Sequence, residues 1–276
     1  MEFLYRRSYV GPLQAVILDW AGTTVDYGCC APVVTFVEVF KGWQIAITLP
    51  QARAPMGMDK KSHIRTILQM EPVTQQWQEV YGRAWNEDDV EAMFREFEPM
   101  QAETVRDYAA CIPGTLEAIE DFRDRGLKIG TTTGYSQQVM DVLLPVAEAN
   151  GYTPDSNVCI DDVPAARPSP FMCYQNAMNL GCYPMAAMVK VGDTIPDIEE
   201  GLNAGMWVVA VTKSGNELGL TEQEVADLDE QELEIRLQRA SRRLAQAGAH
   251  YVVDTIADVP MVLDEIEARV AQGDCP

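Results

Sequence analysis

Histidine is scarce in this chain. His63 and His250 are the only two imidazoles in 276 residues, too few for a histidine-built zinc centre. The seven cysteines (29, 30, 111, 159, 173, 182 and 275) include no CxxC pair. An odd number without framework spacing predicts reduced thiols in a cytoplasmic protein. No apolar run is long enough to cross a bilayer, and Met1–Gln14 carries charge but no apolar signal core, so no membrane partner is expected. Positive charge is short as well: 21 Lys and Arg stand against 42 Asp and Glu, a net charge of −21. Nucleic acid would meet a repulsive field, and an anionic substrate needs positive charge supplied locally.

What is present suits a globular enzyme, with 47% hydrophobic and 23% charged residues. Ala15-Val16-Ile17-Leu18 is a continuous apolar run, as in a parallel strand covered on both faces. From about 31 to 108 the pattern is helical, with apolar residues at three-to-four spacing in 59–70 and 88–108 and one candidate strand at 44–48. After Pro113-Gly114, helices and strands alternate: helix 116–125, strand 127–130, helix 136–149, strand 157–160, helix 169–180, strand 186–191, helix 196–204 and strand 207–211. Thr221-Glu222-Gln223-Glu224 then opens a helix over 221–248 with a capping box, followed by strand 251–254 and helix 256–271. The fold class predicted is α/β: a doubly wound, Rossmann-like parallel sheet with ligands at the carboxyl ends of its strands. The core comprises 1–27 and 108–276. The helical block 28–107 is inserted after the first strand and caps those strand ends. Val33, Val34, Phe36, Val37 and Phe40 at its start fit either the cap's own core or a contact between subunits.

Four strand ends carry chemistry. Asp19 follows the first strand and leads into Gly22-Thr23-Thr24, a turn whose hydroxyls and amides suit a phosphoryl oxygen. Thr133-Gly134 repeats the arrangement. Arg167, in a proline-stiffened turn, can hold a transferring anionic group, or simply pair with Asp161 or Asp162. Asp193 and Asp197, four apart at a helix start, face one cleft and suit Mg²⁺, which needs few carboxylates beside phosphoryl oxygens and water. In the helical block, Lys60 and His63 share a helix face. Lys60 lies near Lys61 and Arg65, which favours the neutral amine that imine formation requires; a solvated lysine pair is the plainer alternative.

Together, in this order, these motifs resemble the haloacid dehalogenase superfamily. The resemblance implies Asp19 as nucleophile, Thr133 and Gly134 as phosphoryl contacts, and Arg167 as the cation. It implies a Mg²⁺ held by Asp19, Asp193 and the backbone carbonyl of Ala21, with Asp197 in support. Ala21 stands where that superfamily's phosphatases carry a second aspartate, the acid for a leaving oxygen. Its absence points to a leaving group that needs no proton at that moment, a carbon. DWAGTTVDYGC, Pro-Met-Gly followed by Lys60 and His63, TTGY, DDVPAARPSPFMCYQNAM, KVGDTIPD, NAGMW and ELGLTEQEV resemble the superfamily's phosphonatase family over nearly the whole chain. Ala166 replaces its usual glycine. This resemblance implies Mg-dependent hydrolysis of the C–P bond of phosphonoacetaldehyde by a homodimer, through a Lys60 Schiff base and an aspartyl-phosphate. His63 would be the proton shuttle, its ordinary pKa of about 6.5 serving both directions. The alternatives are a phosphate-ester phosphatase or phosphomutase of the same superfamily, and a non-catalytic binding protein on this fold.

Overall fold

Leu18 runs straight into Asp19, so whatever places the first strand places the candidate nucleophile. The computed structural model describes residues 8–276; the first seven residues of the expected core segment 1–27 lie outside the described residues. Strand β1 (Ala15–Leu18) is buried at every position. Val16 and Leu18 point into one apolar cluster and Ala15 and Ile17 into another, which is why the run does not alternate.

Five helices follow β1 before the alternating part of the chain begins. These are α1 (Cys30–Gly42), α2 (Leu49–Arg53), α3 (Lys60–Leu68), α4 (Glu71–Tyr81) and α5 (Glu87–Thr104). The candidate strand at 44–48 is not formed. Thr48 instead caps α2, its hydroxyl accepting from the Gln51 N–H while Gln51 reaches back to the Thr48 amide. Val33, Phe36 and Phe40 of α1 are buried in a cluster shared with Ile64, Trp77 and Phe97, so the cap's own core takes them; Val34 is left exposed. That cluster continues without a break into the sheet.

The alternating part begins with α6 (Thr115–Asp124) and β2 (Lys128–Thr133), then α7 (Gln137–Ala149), β3 (Ser156–Cys159) and α8 (Phe171–Leu180). It continues with β4 (Met188–Gly192), α9 (Ile195–Ala204) and β5 (Trp207–Val211). The expected helix 221–248 is two: α10 (Glu222–Asp227) and α11 (Glu230–Gln246). Asp229 breaks it, accepting the N–H groups of Gln231 and Glu232 as the cap of α11. Strand β6 (Tyr251–Val253) and α12 (Val259–Ala271) close the chain. Among the described residues the sheet has six parallel strands in the order β3-β2-β1-β4-β5-β6. β1 therefore lies where connections diverge to either side, the crevice at which doubly wound sheets bind ligands. β2 runs three residues further than its apolar pattern: Thr131, Thr132 and Thr133 are buried strand residues, Thr131 bonding to Asn157 of β3 and Thr132 to the site's charged groups.

Candidate active site

Six ionisable groups are buried at the carboxyl end of the central strands: Asp19, Arg167, Lys190, Asp193, Asp197 and Glu200. Arg167 organises them. Its Nη2 donates to Asp19 Oδ1 at 2.7 Å, its Nη1 lies 3.0 Å from Asp197 Oδ1, and its Nε donates to Glu200 at 3.1 Å. The Thr132 carbonyl accepts a further bond from Nη2 at 2.9 Å. Asp161 and Asp162, the surface partners that the local sequence offered, instead accept the backbone N–H groups of Gln137 and Cys159. Lys190, inside β4, donates to Asp197 and to Thr132 Oγ1, each at 2.8 Å. Burial works against the Asp197 carboxylate, yet Arg167 and Lys190 outweigh it and hold its pKa below the ordinary value.

Asp19 and Asp193 behave in the opposite way. Burial pushes the Asp19 carboxyl up despite Arg167, and burial plus Asp19 pushes Asp193 well up. With all four carboxyls ionised, two cations would leave two negative charges, the deficit that one divalent cation would cancel. Asp193 Oδ2 accepts the Asn216 N–H at 2.7 Å, whereas Oδ1 has no hydrogen-bond partner among the described residues. Oxygens of Asp19, Asp193 and Asp197 fall within 4.8 Å of one another. An all-oxygen set with one orphaned carboxylate oxygen fits Mg²⁺. Asp197 is already held by Lys190 and Arg167, which suits a supporting role. Gly22 makes the site's closeness possible: at φ +83°, a Cβ there would lie 2.3 Å from Asp193 Oδ2.

Above this cluster the loop Met56-Gly57-Met58 is seated on the core. A Cβ on Gly57 (φ +89°) would lie 2.4 Å from Thr194 Oγ1 and strike Pro196. Asp59 caps α3 through the Ser62 N–H and thereby fixes Lys60 at the first turn. Lys60 is 8% exposed and lines the same small cavity as Asp19, Arg167, Thr133 and Gly134. Its Nζ lies 5.2 Å from the Tyr135 ring centre and 5.8 Å from that of Phe36. Burial lowers its pKa, although Cys29 and Asp19 oppose the shift. Lys61 is not in that position: it pairs with Glu91 at 2.7 Å on the surface.

His63 is enclosed on the same helix face as Lys60. Its ring stacks on Phe36 with centres 3.8 Å apart, and Nε2 donates to the Ala52 carbonyl at 2.8 Å, leaving Nδ1 unpartnered among the described residues. Burial and then Lys60 push its pKa well below the ordinary value, which favours the neutral imidazole. Sequence reasoning passed over Lys190, Glu200, Thr132, Cys29 and Tyr135. Of these, Lys190 carried a signal: a lysine in the middle of an otherwise apolar strand two residues before Gly192 needs buried carboxylates.

A parallel sheet with a buried acid–cation cluster at its switch point and a helical insertion above it defines a hydrolase of the haloacid dehalogenase type. The haloacid dehalogenase-like hydrolase family matches residues 13–205, and the chain belongs to that family. Over its full length it is similar to a phosphonoacetaldehyde hydrolase-like protein of Syntrophobacter fumaroxidans, 50% identical with 100% of both chains covered. A phosphonoacetaldehyde hydrolase of the same organism is 49% identical, with 99% of each covered. The solved structure of a phosphonoacetaldehyde hydrolase-like protein from Oleispira antarctica superposes with a TM-score of 0.97 at 40% identity, covering 100% of both.

Proposed function

We propose that this chain hydrolyses the carbon–phosphorus bond of phosphonoacetaldehyde to acetaldehyde and phosphate. The observation that carries the reading is the Lys60 amine, buried in the cavity that Asp19 lines, with no carboxyl side chain at position 21. An alkoxide leaving from a phosphate ester needs a proton, and Ala21 has none to give. A carbon leaving group needs an electron sink, which an iminium on Lys60 supplies.

The lowered pKa of Lys60 provides free amine for attack on the aldehyde, with loss of water to the iminium. The neutral His63 offers its Nδ1 lone pair as a hydrogen-bond acceptor on the same helix face. Asp19 then attacks phosphorus while the C–P electron pair moves into the iminium, giving an enamine and an aspartyl-phosphate. Arg167 screens the approach of one anion to another, and Thr133 and Gly134 contact the phosphoryl oxygens. Held by Asp19, Asp193 and the Ala21 carbonyl, Mg²⁺ would supply further positive charge toward those oxygens. Water releases phosphate; protonation and hydrolysis of the enamine return acetaldehyde and the amine. The unpaired thiols support a cytoplasmic setting, and exposed Val34 on α1 supports a homodimer contact there.

Borohydride reduction in the presence of phosphonoacetaldehyde tests the reading. Mass spectrometry is expected to find the adduct on Lys60, and Lys60→Ala is expected to lose about a thousandfold or more in kcat. Full activity in that variant would refute it.

A further inference from the structure

Lys60 stands at the junction of two cavities. One, on the phosphoryl side, measures about 30 Å³; the other, between α3, α5 and the start of α7, measures about 330 Å³. Lys60, Gly134 and Tyr135 line both. A ligand whose carbonyl carbon is joined to Lys60 therefore has its phosphonate on one side and a sizeable space on the other. An aldehyde sends only a hydrogen that way. The larger cavity reaches the size at which small-molecule sites begin.

Its lining is specific. Phe94, Phe97 and Val139 give apolar walls suited to methylene groups. Gln101 is fully buried, and neither the nitrogen nor the oxygen of its amide has a partner among the described residues. The hydroxyls of Tyr135 and Ser136, lining residues as well, are in the same condition. Buried polar atoms left without partners cost free energy, so several around one cavity mark a place where an oxygen-bearing group sits. The amide and hydroxyls both donate and accept, the pattern that a neutral hydroxyl satisfies. Charge narrows the choice further. Asp59, Glu98 and Asp161 line this side, and the cation beside them, Lys61, is taken by Glu91. A carboxylate tail would be repelled.

We propose that this cavity is a second substrate subsite, taking a neutral hydroxyalkyl substituent on the carbonyl carbon, so that the enzyme also cleaves 2-oxoalkylphosphonates with a hydroxylated tail. The inference rests on the Lys60 imine reading above. The amine condenses with the ketone, releasing water; the C–P pair flows into the ketiminium as phosphorus passes to Asp19. One water hydrolyses the aspartyl-phosphate, and a second returns the amine from the protonated enamine. With the water lost at condensation, the sum is ketone plus one water to a hydroxyalkyl methyl ketone plus phosphate.

The test compares phosphate release from phosphonoacetaldehyde, 2-oxopropylphosphonate, 3-hydroxy-2-oxopropylphosphonate and 4-phosphono-3-oxobutanoate, with Mg²⁺ present. The hydroxylated ketone is expected to exceed the methyl ketone about tenfold or more in kcat/KM, with no turnover of the carboxylate. Gln101→Leu, which removes an unpartnered amide and is expected to fold at least as stably, should erase that preference while leaving phosphonoacetaldehyde within about twofold. A hydroxyketone no better than the methyl ketone would overturn the subsite. So would an equal loss on the aldehyde in Gln101→Leu, which would assign the cavity to hydrolytic water. If phosphonoacetaldehyde itself is not cleaved, the C–P reading fails separately. The subsite is then judged by calorimetric titration of the two ketones, where a Gln101-dependent preference for the hydroxylated one supports it and no difference refutes it.

Discussion

Replacing Lys190 by methionine measures how far the buried charge cluster depends on its second cation. The Nζ of Lys190 lies 2.8 Å from Asp197 Oδ1 and 3.4 Å from Glu200 Oε2, and all three side chains are essentially without solvent access. Methionine keeps the apolar stem and removes the charge. Arg167 then faces Asp19, Asp197 and Glu200 alone, and one more carboxylate is left uncompensated. Breaking a buried pair by removing one partner costs about 3–5 kcal/mol, since the remaining charge keeps its desolvation penalty. Thr132 Oγ1 also loses the donor at 2.8 Å, though it retains Arg167 and Glu200 as partners. The assay is urea unfolding at pH 7.5, where a slope of about 3 kcal/mol per molar predicts a midpoint lowered by about 1 M or more. The sign with pH follows from Asp197. Its pKa is depressed in the native protein, so its stabilisation is present above the unfolded value and lost as pH falls through the native one. The penalty of Lys190→Met should therefore shrink on acidification, as the stranded carboxylate protonates. A midpoint change equivalent to less than about 1 kcal/mol at pH 7.5 would show that the lysine does not carry a needed charge.

Lys60 predicts the reverse sign. Its native pKa is depressed, so burying its charged form lowers stability below the native pKa and that cost vanishes above the unfolded value of about 10.4. Lys60→Met should raise the melting temperature at pH 7 and abolish turnover, with the gain disappearing toward pH 10.5; a variant less stable than the parent at pH 7 refutes the burial argument. Adding Mg²⁺ at a hundredfold excess over its Kd should stabilise the parent by about 2.7 kcal/mol and leave Asp193→Asn unmoved, read as the shift in melting temperature. Gly57→Ala should depress kcat/KM about a hundredfold or more, because at φ +89° a Cβ would strain the loop and meet Thr194 where it seats. Near-parent activity in Gly57→Ala would mean that the loop need not take this position during turnover.

The sheet and the four strand-end motifs were legible because each is local. A continuous apolar run followed by Asp19, or by Gly192-Asp193, places a carboxylate at a strand's end whatever the remainder of the chain does. Lys60 was singled out by its spacing after Pro55-Met56-Gly57, given by the resemblance, and by its three-residue spacing to His63; the Asp59 cap that fixes it at the first turn came from the structure. Long-range partners were not legible. Arg167 had Asp161 and Asp162 close by in sequence, and nothing local says that Asp19, 148 positions away, takes it instead. The charge state of His63 depends on Phe36, Ala52 and Lys60 enclosing it, and an isolated imidazole value says nothing of that enclosure. The break at Asp229 was open to reading, since an aspartate followed three residues on by Glu232 is itself a cap signal within the longer helical pattern. The strand expected at 44–48 failed because a short apolar stretch beside a Thr-x-x-Gln cap serves equally well as a lead-in to a helix.

The raised pKa values of Asp19 and Asp193 and the lowered pKa of Lys60 share one physical cause. Excluding water raises Asp19 and Asp193 and lowers Lys60 together, since desolvation penalises every charged form. For a phosphate ester this would be unhelpful at the leaving oxygen, which needs a proton donor that Ala21 does not provide. For a phosphonate joined to an amine, as proposed, it would serve both ends. The amine must be uncharged to condense, and the carboxylate must be weakly solvated yet ionised to attack, a combination that burial alone cannot give. On the proposed reading, Arg167 together with a divalent cation would offset that penalty on the aspartate side, while Phe36 and Tyr135 give Lys60 no counter-ion of comparable strength. The two halves of the site therefore require opposite electrostatic corrections to the same burial. They are also carried by different parts of the chain, the anion-stabilising groups at the strand ends and the amine on the inserted helices. The loop at Gly57, seated against Thr194 and Pro196, joins the two halves.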